Sequence, residues 1–329
     1  MIRRLAIASL FVLAGLALLD AQQPPAVTGA RATAPTAAGS GQIHVQHIRG
    51  NVSMLVGPNT NVTVQTGPDG VVLVDSMDAA SAEPLFAAIR TLSDKPINTI
   101  IDTHFHVDHT GGNEALAKLG CCGPQAVRIM AHERVLNRFT ASAGSGTEST
   151  ARLQLNAVIT LPINSEYFTP TKDFSLNDEA IILQHVPAAH TDGDTLVFFR
   201  SSDVLAVGDI FWPDQYPFID LQAGGSVNGL IDALNKVLEI TVPRRFQEGG
   251  TYVVPGHGRL CDEADVVEYR DMVTIVRDRV QDLIKKGQSW QQIKAARPSR
   301  DYDLEYGTAS GDSTPEKFVE AVYRSLGGK

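Results

Sequence analysis

The sequence predicts an α/β fold in which two β-sheets pack together and helices cover them. Three observations predict it. Short apolar strands precede a helix in the first half, with strand patterns through 44–74 and a helical one at 79–93. The second half repeats that order, with strands between 181 and 208 and a helix from 226. No later linker is long or polar enough to separate a second domain, so the two halves share one layered unit.

The composition is globular: 43% of the 329 residues are apolar and 20% charged. Twenty-eight Lys and Arg against 37 Asp and Glu give a formal charge of -9, which weighs against a nucleic-acid binder. A small-molecule substrate is the expected partner. Three cysteines are too few for a disulfide scaffold or an all-cysteine metal site.

The elements follow in chain order. Arg3 and Arg4 precede the apolar run Leu5–Leu19, the layout of a secretory signal peptide, here assigned to residues 1–21. That run is shorter than the roughly 20 residues a spanning helix needs, so the mature protein is expected to be periplasmic or secreted, without stable membrane insertion. Residues 22–42, rich in Pro, Ala, Gly and Thr, read as a flexible leader. The domain then runs from 43 to 329, with 262–329 as a helical C-terminal extension.

Between His44 and Val74, PDG supplies the turn before the buried strand VVLV. A helix over 79–93, a strand at 99–102, a helix over 113–119 and a strand at 127–133 come next. The Ala, Ser, Gly and Thr of 140–160 suit a mobile flap or a short helix. Strands are expected at 181–186, 195–200, 204–208 and 251–254. Leu230, Ala233, Leu234, Val237 and Leu238 share one face of a helix over 226–240 that Ser226 caps. A long helix over 264–286 ends at Gly287. The last helix has Ser313 as its cap, Pro315 in its first turn and Phe318, Val322 and Leu326 inside.

The chemistry concentrates in Asp102-Thr103-His104-Phe105-His106-Val107-Asp108-His109. Residues 104 and 106 project the same way from an extended strand end, so their imidazoles can share one ion. Asp108 and His109 follow at a turn and can reach a second. Three further residues stand just after strands or in a Gly-rich turn: His190 in AAHTDGDT, Asp209 in AVGD and His257 in VVPGHG. The natural grouping is His104, His106 and His190 on one ion and Asp108, His109 and His257 on the other, with Asp209 bridging them. Imidazole and carboxylate donors suit two Zn(2+) ions, or Mn or Fe. A merely adventitious histidine tract would not come with three distal ligands at strand ends. His44, His47, His132 and His185 read as structural or surface residues, and Asp192 and Asp194 as turn residues or hydrogen-bond partners of the ligands. Cys121, Cys122 and Cys261 read as structural or incidental.

Through THFHVDHTGGN, HTDGD, VGD and PGHG, over roughly residues 44–260, the sequence resembles the metallo-β-lactamase-fold hydrolases, a superfamily that includes glyoxalase II-like, lactonase-like and β-lactamase-like enzymes. The resemblance implies a four-layer αββα sandwich of two mixed sheets, with the metals at one edge. The expected reaction is attack on the acyl carbon of a small cyclic amide, lactone or related ester by a hydroxide that two metals activate, with Asp108 orienting it and carrying a proton. Ser226 lacks the strand–nucleophile–helix setting of a serine hydrolase.

Several departures narrow the substrate. Asp209 resembles the bridging aspartate of thioesterases and lactonases, where classical zinc β-lactamases carry cysteine or serine. Trp212 stands where one group of those has a lysine, so β-lactamase activity is expected to be weak or promiscuous. Quorum-signal lactonases often place a tyrosine there, and the nearest one here is Tyr216. A glyoxalase II-type thioesterase would need basic residues, of which the tail offers Lys285 and Lys286. Phosphodiesterases and nucleases of the superfamily use similar ligands, but their polyanionic substrates favour basic surroundings that this acidic chain does not advertise. A persulfide dioxygenase with a single iron, and a metal-dependent binding module without activity, are further alternatives. The aromatic loop 211–219 predicts a substrate wall from Trp212 and Tyr216, and a hairpin over 52–62 predicts a flap with Met54 and Leu55 as apolar contacts.

Overall fold

The computed structural model describes residues 42–120, 127–143, 166–246 and 249–328. Expectations for the signal peptide and leader up to residue 41, for Cys121 and Cys122, and for most of the 140–160 stretch lie outside them.

Six strands form the first sheet in sequence order: β1 (His44–Arg49), β2 (Val52–Val56), β3 (Asn61–Gly67), β4 (Gly70–Val74), β5 (Ile97–Ile101) and β6 (Arg128–Met130). The first four pair antiparallel through tight turns. The β4–β5 and β5–β6 pairs are parallel, and parallel neighbours need crossovers. Helix α1 (Ala82–Leu92) supplies one, and α2 (Val107–Thr110) with α3 (Asn113–Gly120) the other. Helix α4 (Glu133–Ala143) follows β6.

The second sheet has the order β11-β10-β9-β8-β7. Its strands are β7 (Thr171–Leu176), β8 (Glu179–His185), β9 (Thr195–Phe199), β10 (Val204–Gly208) and β11 (Tyr252–Pro255). All pairs are antiparallel except β10–β11, whose crossover contains α5 (Val227–Ile240). Four more helices complete the chain: α6 (Glu263–Lys285), α7 (Trp290–Ala296), α8 (Asp303–Tyr306) and α9 (Pro315–Ser325).

Apolar burial sets the layering. Met54, Val72, Val74 and Ile101 of the first sheet meet Leu183, Val197, Phe199 and Val254 of the second. On its outer face the first sheet packs Leu55, Val64 and Leu73 against Leu85, Ile89 and Leu116 of α1 and α3. Leu205 and Val253 of the second sheet face Leu234, Val273, Val276 and Phe318 of α5, α6 and α9. The result is the αββα sandwich of two mixed sheets. Among the described residues, no helix is long and apolar enough to cross a membrane.

Local signals account for several helix starts. Ser226 Oγ accepts from Gly229 N at 3.0 Å and caps α5, as expected. Asp262 and Asp265 form a reciprocal capping box at the start of α6. The cap of α9 is Thr314 rather than Ser313, because Thr314 Oγ1 accepts from Lys317 N at 3.4 Å while Ser313 is buried. The strand expected over 127–133 ends at Met130, since His132 forms only a single bridge with Tyr167 and α4 starts at Glu133. Strand β7 and helices α4, α7 and α8 are additional to the sequence reading.

Candidate metal centre

Four segments leaving the C-terminal ends of strands converge at one edge of the sandwich. After β5, residues 102–106 carry His104 and His106, and the single turn of α2 carries Asp108 and His109. After β8 the chain reaches His190, and directly after β10 comes Asp209. His257 follows β11 through Gly256. That glycine is required by close approach: a Cβ there would stand 2.1 Å from Asp209 Oδ1 and 2.9 Å from His109 Cε1. Gly208 holds φ at +52°, which turns the chain sharply into Asp209.

The seven side chains fall into two groups of converging donor atoms. His104, His106, His190 and Asp209 form one; Asp108, His109 and His257 form the other. His106 Nδ1 lies 3.1 Å from His104 Nε2 and 3.0 Å from His190 Nε2. His109 Nε2 and His257 Nε2 are 3.4 Å apart. Asp209 stands between the groups. Its Oδ2 is 3.9 Å from His104 Nε2, 3.8 Å from His190 Nε2 and 3.2 Å from His257 Nε2. Its buried Oδ1 lies 3.2 Å from His109 Nε2 but lacks hydrogen-bond geometry.

Every imidazole has its outer nitrogen engaged by an acceptor. His190 Nδ1 donates to the Phe218 carbonyl at 2.8 Å, and His106 Nε2 to Asp220 Oδ2 at 3.1 Å. His109 Nδ1 donates to Asp75 Oδ2 at 2.7 Å, and His257 Nδ1 to the Asn59 carbonyl. Thr103 Oγ1 gives its hydrogen to Asp75 Oδ2 at 2.9 Å, so it accepts from His104 Nδ1 at 3.0 Å. The inner nitrogens are Nδ1 of His106 and Nε2 of the other four, and all five turn toward the middle.

Electrostatics agree with a cation there. Burial, with His109 and His190 nearby, holds His104 well below the ordinary imidazole range, and burial pushes His190 down to about 4. Burial opposes charge on His109 too, yet Asp209 and Asp75 hold it well above its ordinary value. His257 is likewise raised against burial, by Asp209. Burial would raise Asp209, but His257 and His109 hold its carboxylate well below the usual range. The carboxylates that favour positive charge on His109 and His257 therefore mark the place a cation would take, and a cation there would compete with protons for those nitrogens. Unprotonated nitrogens about 3 Å apart repel one another unless a cation stands between them, so the residues present fit the group.

Asp75 is the hub of the outer partners, and the sequence reading missed it. Its Oδ1 accepts from Thr103 N at 2.8 Å, while its Oδ2 serves both Thr103 and His109. It holds φ at +67°, and Met77 follows at +59°. Such strain costs about 1–3 kcal/mol per residue. Neighbouring buried side chains, each contributing roughly 1.5–3 kcal/mol, offset it. Asp220 was missed as well. It supports His106 while its backbone N–H donates to the His190 carbonyl at 2.9 Å. Asp75 had one signal in the sequence: an acidic residue directly after the buried strand VVLV.

The four predicted pocket residues part company. Trp212 lies beside the centre, its ring 4.4 Å from that of His257. Tyr216 does not line a cleft: it is fully buried, stacks on Phe318 at 4.6 Å and bonds Asp303 and the Ser299 carbonyl. Met54 and Leu55 are fully buried too, one between the sheets and one under the helices, because both faces of β2 are covered. The hairpin tip just beyond them is what reaches the centre, through the Asn59 carbonyl at His257 and Thr60 Oγ1 at 3.5 Å from Asp108 Oδ2. Phe218, not singled out from sequence, stacks on His106 with ring centres 6.0 Å apart and stands edge-on to His190 at 5.6 Å.

A family model described as the metallo-beta-lactamase superfamily matches residues 55–257. The chain belongs to that superfamily. A linear primary-alkylsulfatase from Pseudomonas sp. (strain ATCC 19151) is 23% identical over 250 residues, 67% of this chain and 46% of the relative. Among solved structures, the stereoselective inverting sec-alkylsulfatase Pisa1 from Pseudomonas sp. superposes with a TM-score of 0.64 at 16% identity, over 86% of this chain and 50% of its own. A metallo-beta-lactamase from Pontibacter korlensis gives 0.53 at 17% identity, over 71% of this chain and 99% of its own. These likenesses show the superfamily's fold, and the chain spans about half the length of the alkylsulfatases it matches.

Proposed function

We propose that this chain is a hydrolase that holds two divalent cations, zinc by the chemistry of its donors, and cleaves a small ester, lactone or cyclic amide at the acyl carbon. One observation carries the reading: all five imidazoles are fixed from outside so that their inner nitrogens converge. His104, His106 and His190 would hold the first cation and Asp108, His109 and His257 the second, with Asp209 reaching both.

When bound, such a pair supplies Lewis acidity and makes water a nucleophile at neutral pH. The chain's own residues do the rest. Asp108 is the carboxylate open to solvent, its side chain 35% exposed against 5% for Asp209. It can therefore orient a water and pass a proton to the leaving group, while Asp209 stays fixed among its histidines. Trp212 beside His257, and Phe218 beside His106 and His190, would flank a substrate held at the centre.

Metal analysis of the protein purified without added zinc should find two ions per chain. A ratio near one, or iron with oxygen consumption, overturns the dinuclear reading. Asp108→Ala should lower kcat at least about 100-fold with the fold intact, and retained activity would remove Asp108 from the chemistry.

A second reading is sulfate-ester hydrolysis at the same centre. The likeness to a linear primary-alkylsulfatase over 67% of the chain favours it. Sulfate release from alkyl sulfates, set against acid release from carboxylic esters, separates the two.

A further inference from the structure

Phe218 has a second neighbourhood. Besides flanking His106 and His190, it lines a cavity of about 290 Å³ with Pro217, Ile219, Leu221 and Ala321 of α9. The charges around that cavity are matched: Lys317 pairs with Asp312 at 2.8 Å and Arg324 with Glu320. The lining therefore offers apolar surface with a balanced polar edge. Its volume is near the low end of the roughly 300–1,000 Å³ typical of ligand pockets, which suits one chain or ring better than a fused polycycle.

Its walls are also set in advance. The segment 216–220 is tied at one end by Tyr216, packed on Phe318 and bonded to Asp303, and at the other by the bonds of Phe218 and Asp220 to His190 and His106. A preformed wall lowers the ordering cost of binding.

We propose that this cavity receives the apolar chain of the substrate, a single alkyl or arylalkyl substituent that runs over Phe218 from the bond cleaved at the metal centre. This rests on the hydrolase reading above and adds the substrate's other half. Phe218 sorts by chain length because it stands at both places, its ring beside His106 and His190 and the residue in the lining of the cavity. The C-terminal extension becomes part of the substrate site through Ala321.

The test uses the full, metal-loaded chain with two homologous series, p-nitrophenyl esters from acetate to decanoate and straight-chain alkyl sulfates of matching length. In the series carrying the true head group, kcat/KM should rise about threefold per methylene over the first several carbons, mainly through KM. Ala321→Trp fills the cavity and should cut the octanoate-to-acetate ratio, or its sulfate equivalent, at least tenfold. A flat series in the wild type overturns the proposal. So does an unchanged slope in an Ala321→Trp protein with wild-type circular dichroism. Should Ala321→Trp fail to fold, Leu221→Ser must flatten the slope instead. If neither head group is turned over, the hydrolase reading has failed, and calorimetric titration with sodium octanoate tests the cavity by itself. Binding at least tenfold weaker in the variant supports the cavity, and no binding to the wild type overturns it.

Discussion

His132 and His185 lie face to face, with ring centres 3.6 Å apart and planes 6° from parallel. The pair joins the loop between β6 and α4 to the end of β8. His185 Nε2 donates to the Asp192 carbonyl at 2.9 Å, and His132 Nδ1 accepts from Arg134 N at 3.3 Å. Burial, then the neighbouring His185 and Arg134, pushes His132 down to about 4, with Asp192 pulling weakly the other way. Burial lowers His185 as well, against the Asp192 carbonyl and Glu133. The folded state thus prefers both rings neutral. Their contribution is complete above about pH 6.5 and is lost as the pH falls toward 4. The melting temperature of the wild type relative to His132→Phe should decline across that window. A difference independent of pH would remove the pair from the acid response.

Asp75→Ala should weaken cation binding about 10- to 100-fold, because two metal-facing histidines lose the group that orients them. Competition with a chromophoric chelator measures this directly. Unchanged affinity would show that Thr103 and the backbone suffice to hold His104 and His109.

Cations should leave in two steps under graded chelation, the one at Asp108 and His257 first. Those side chains are 35% and 18% exposed, with His109 alone buried beside them, whereas His104, His190 and Asp209 of the other group are at most 5% exposed and only His106, at 21%, is open. Metal content measured against chelator concentration should plateau near one ion per chain in the wild type. His190→Ala should abolish that plateau, and simultaneous loss of both ions from the wild type would contradict the asymmetry.

Tyr216→Phe should lower stability by about 1 kcal/mol, the usual contribution of a buried hydrogen bond, because its hydroxyl joins loop 211–219 to Ser299 and Asp303. The kcat of the metal-loaded enzyme should stay within about twofold. A large fall in kcat with unchanged stability would return Tyr216 to the reaction.

The sandwich was legible because its strands are short apolar runs before helices, and its ligands because four of the seven sit in one hexapeptide. The other three each follow a strand, a relation that survives into the structure at His190, Asp209 and His257. What escaped has no local signature. Strand β7 is half exposed and carries Lys172 and Asp173, so its apolar alternation is faint. Asp220 finds its function 114 positions away at His106. Tyr216 was drawn to the site by its nearness to Asp209, and Met54 by its place in the 52–62 hairpin. Asp303, 87 positions later, claims the first, and the second sheet covers the other.

The ligands at 104–109 leave the first sheet, and His190, Asp209 and His257 leave the second. A cation shared by His109 and His257 would therefore rivet the seam between the layers, joining positions 148 apart in the chain. Loading then acts on folding as well as on catalysis, since whatever binds only the folded form stabilises it. Starved of metal, such a protein would lose more than its turnover. Chains with the seam unfastened would open first and meet proteases first, so the amount of enzyme that survives would follow the metal supply.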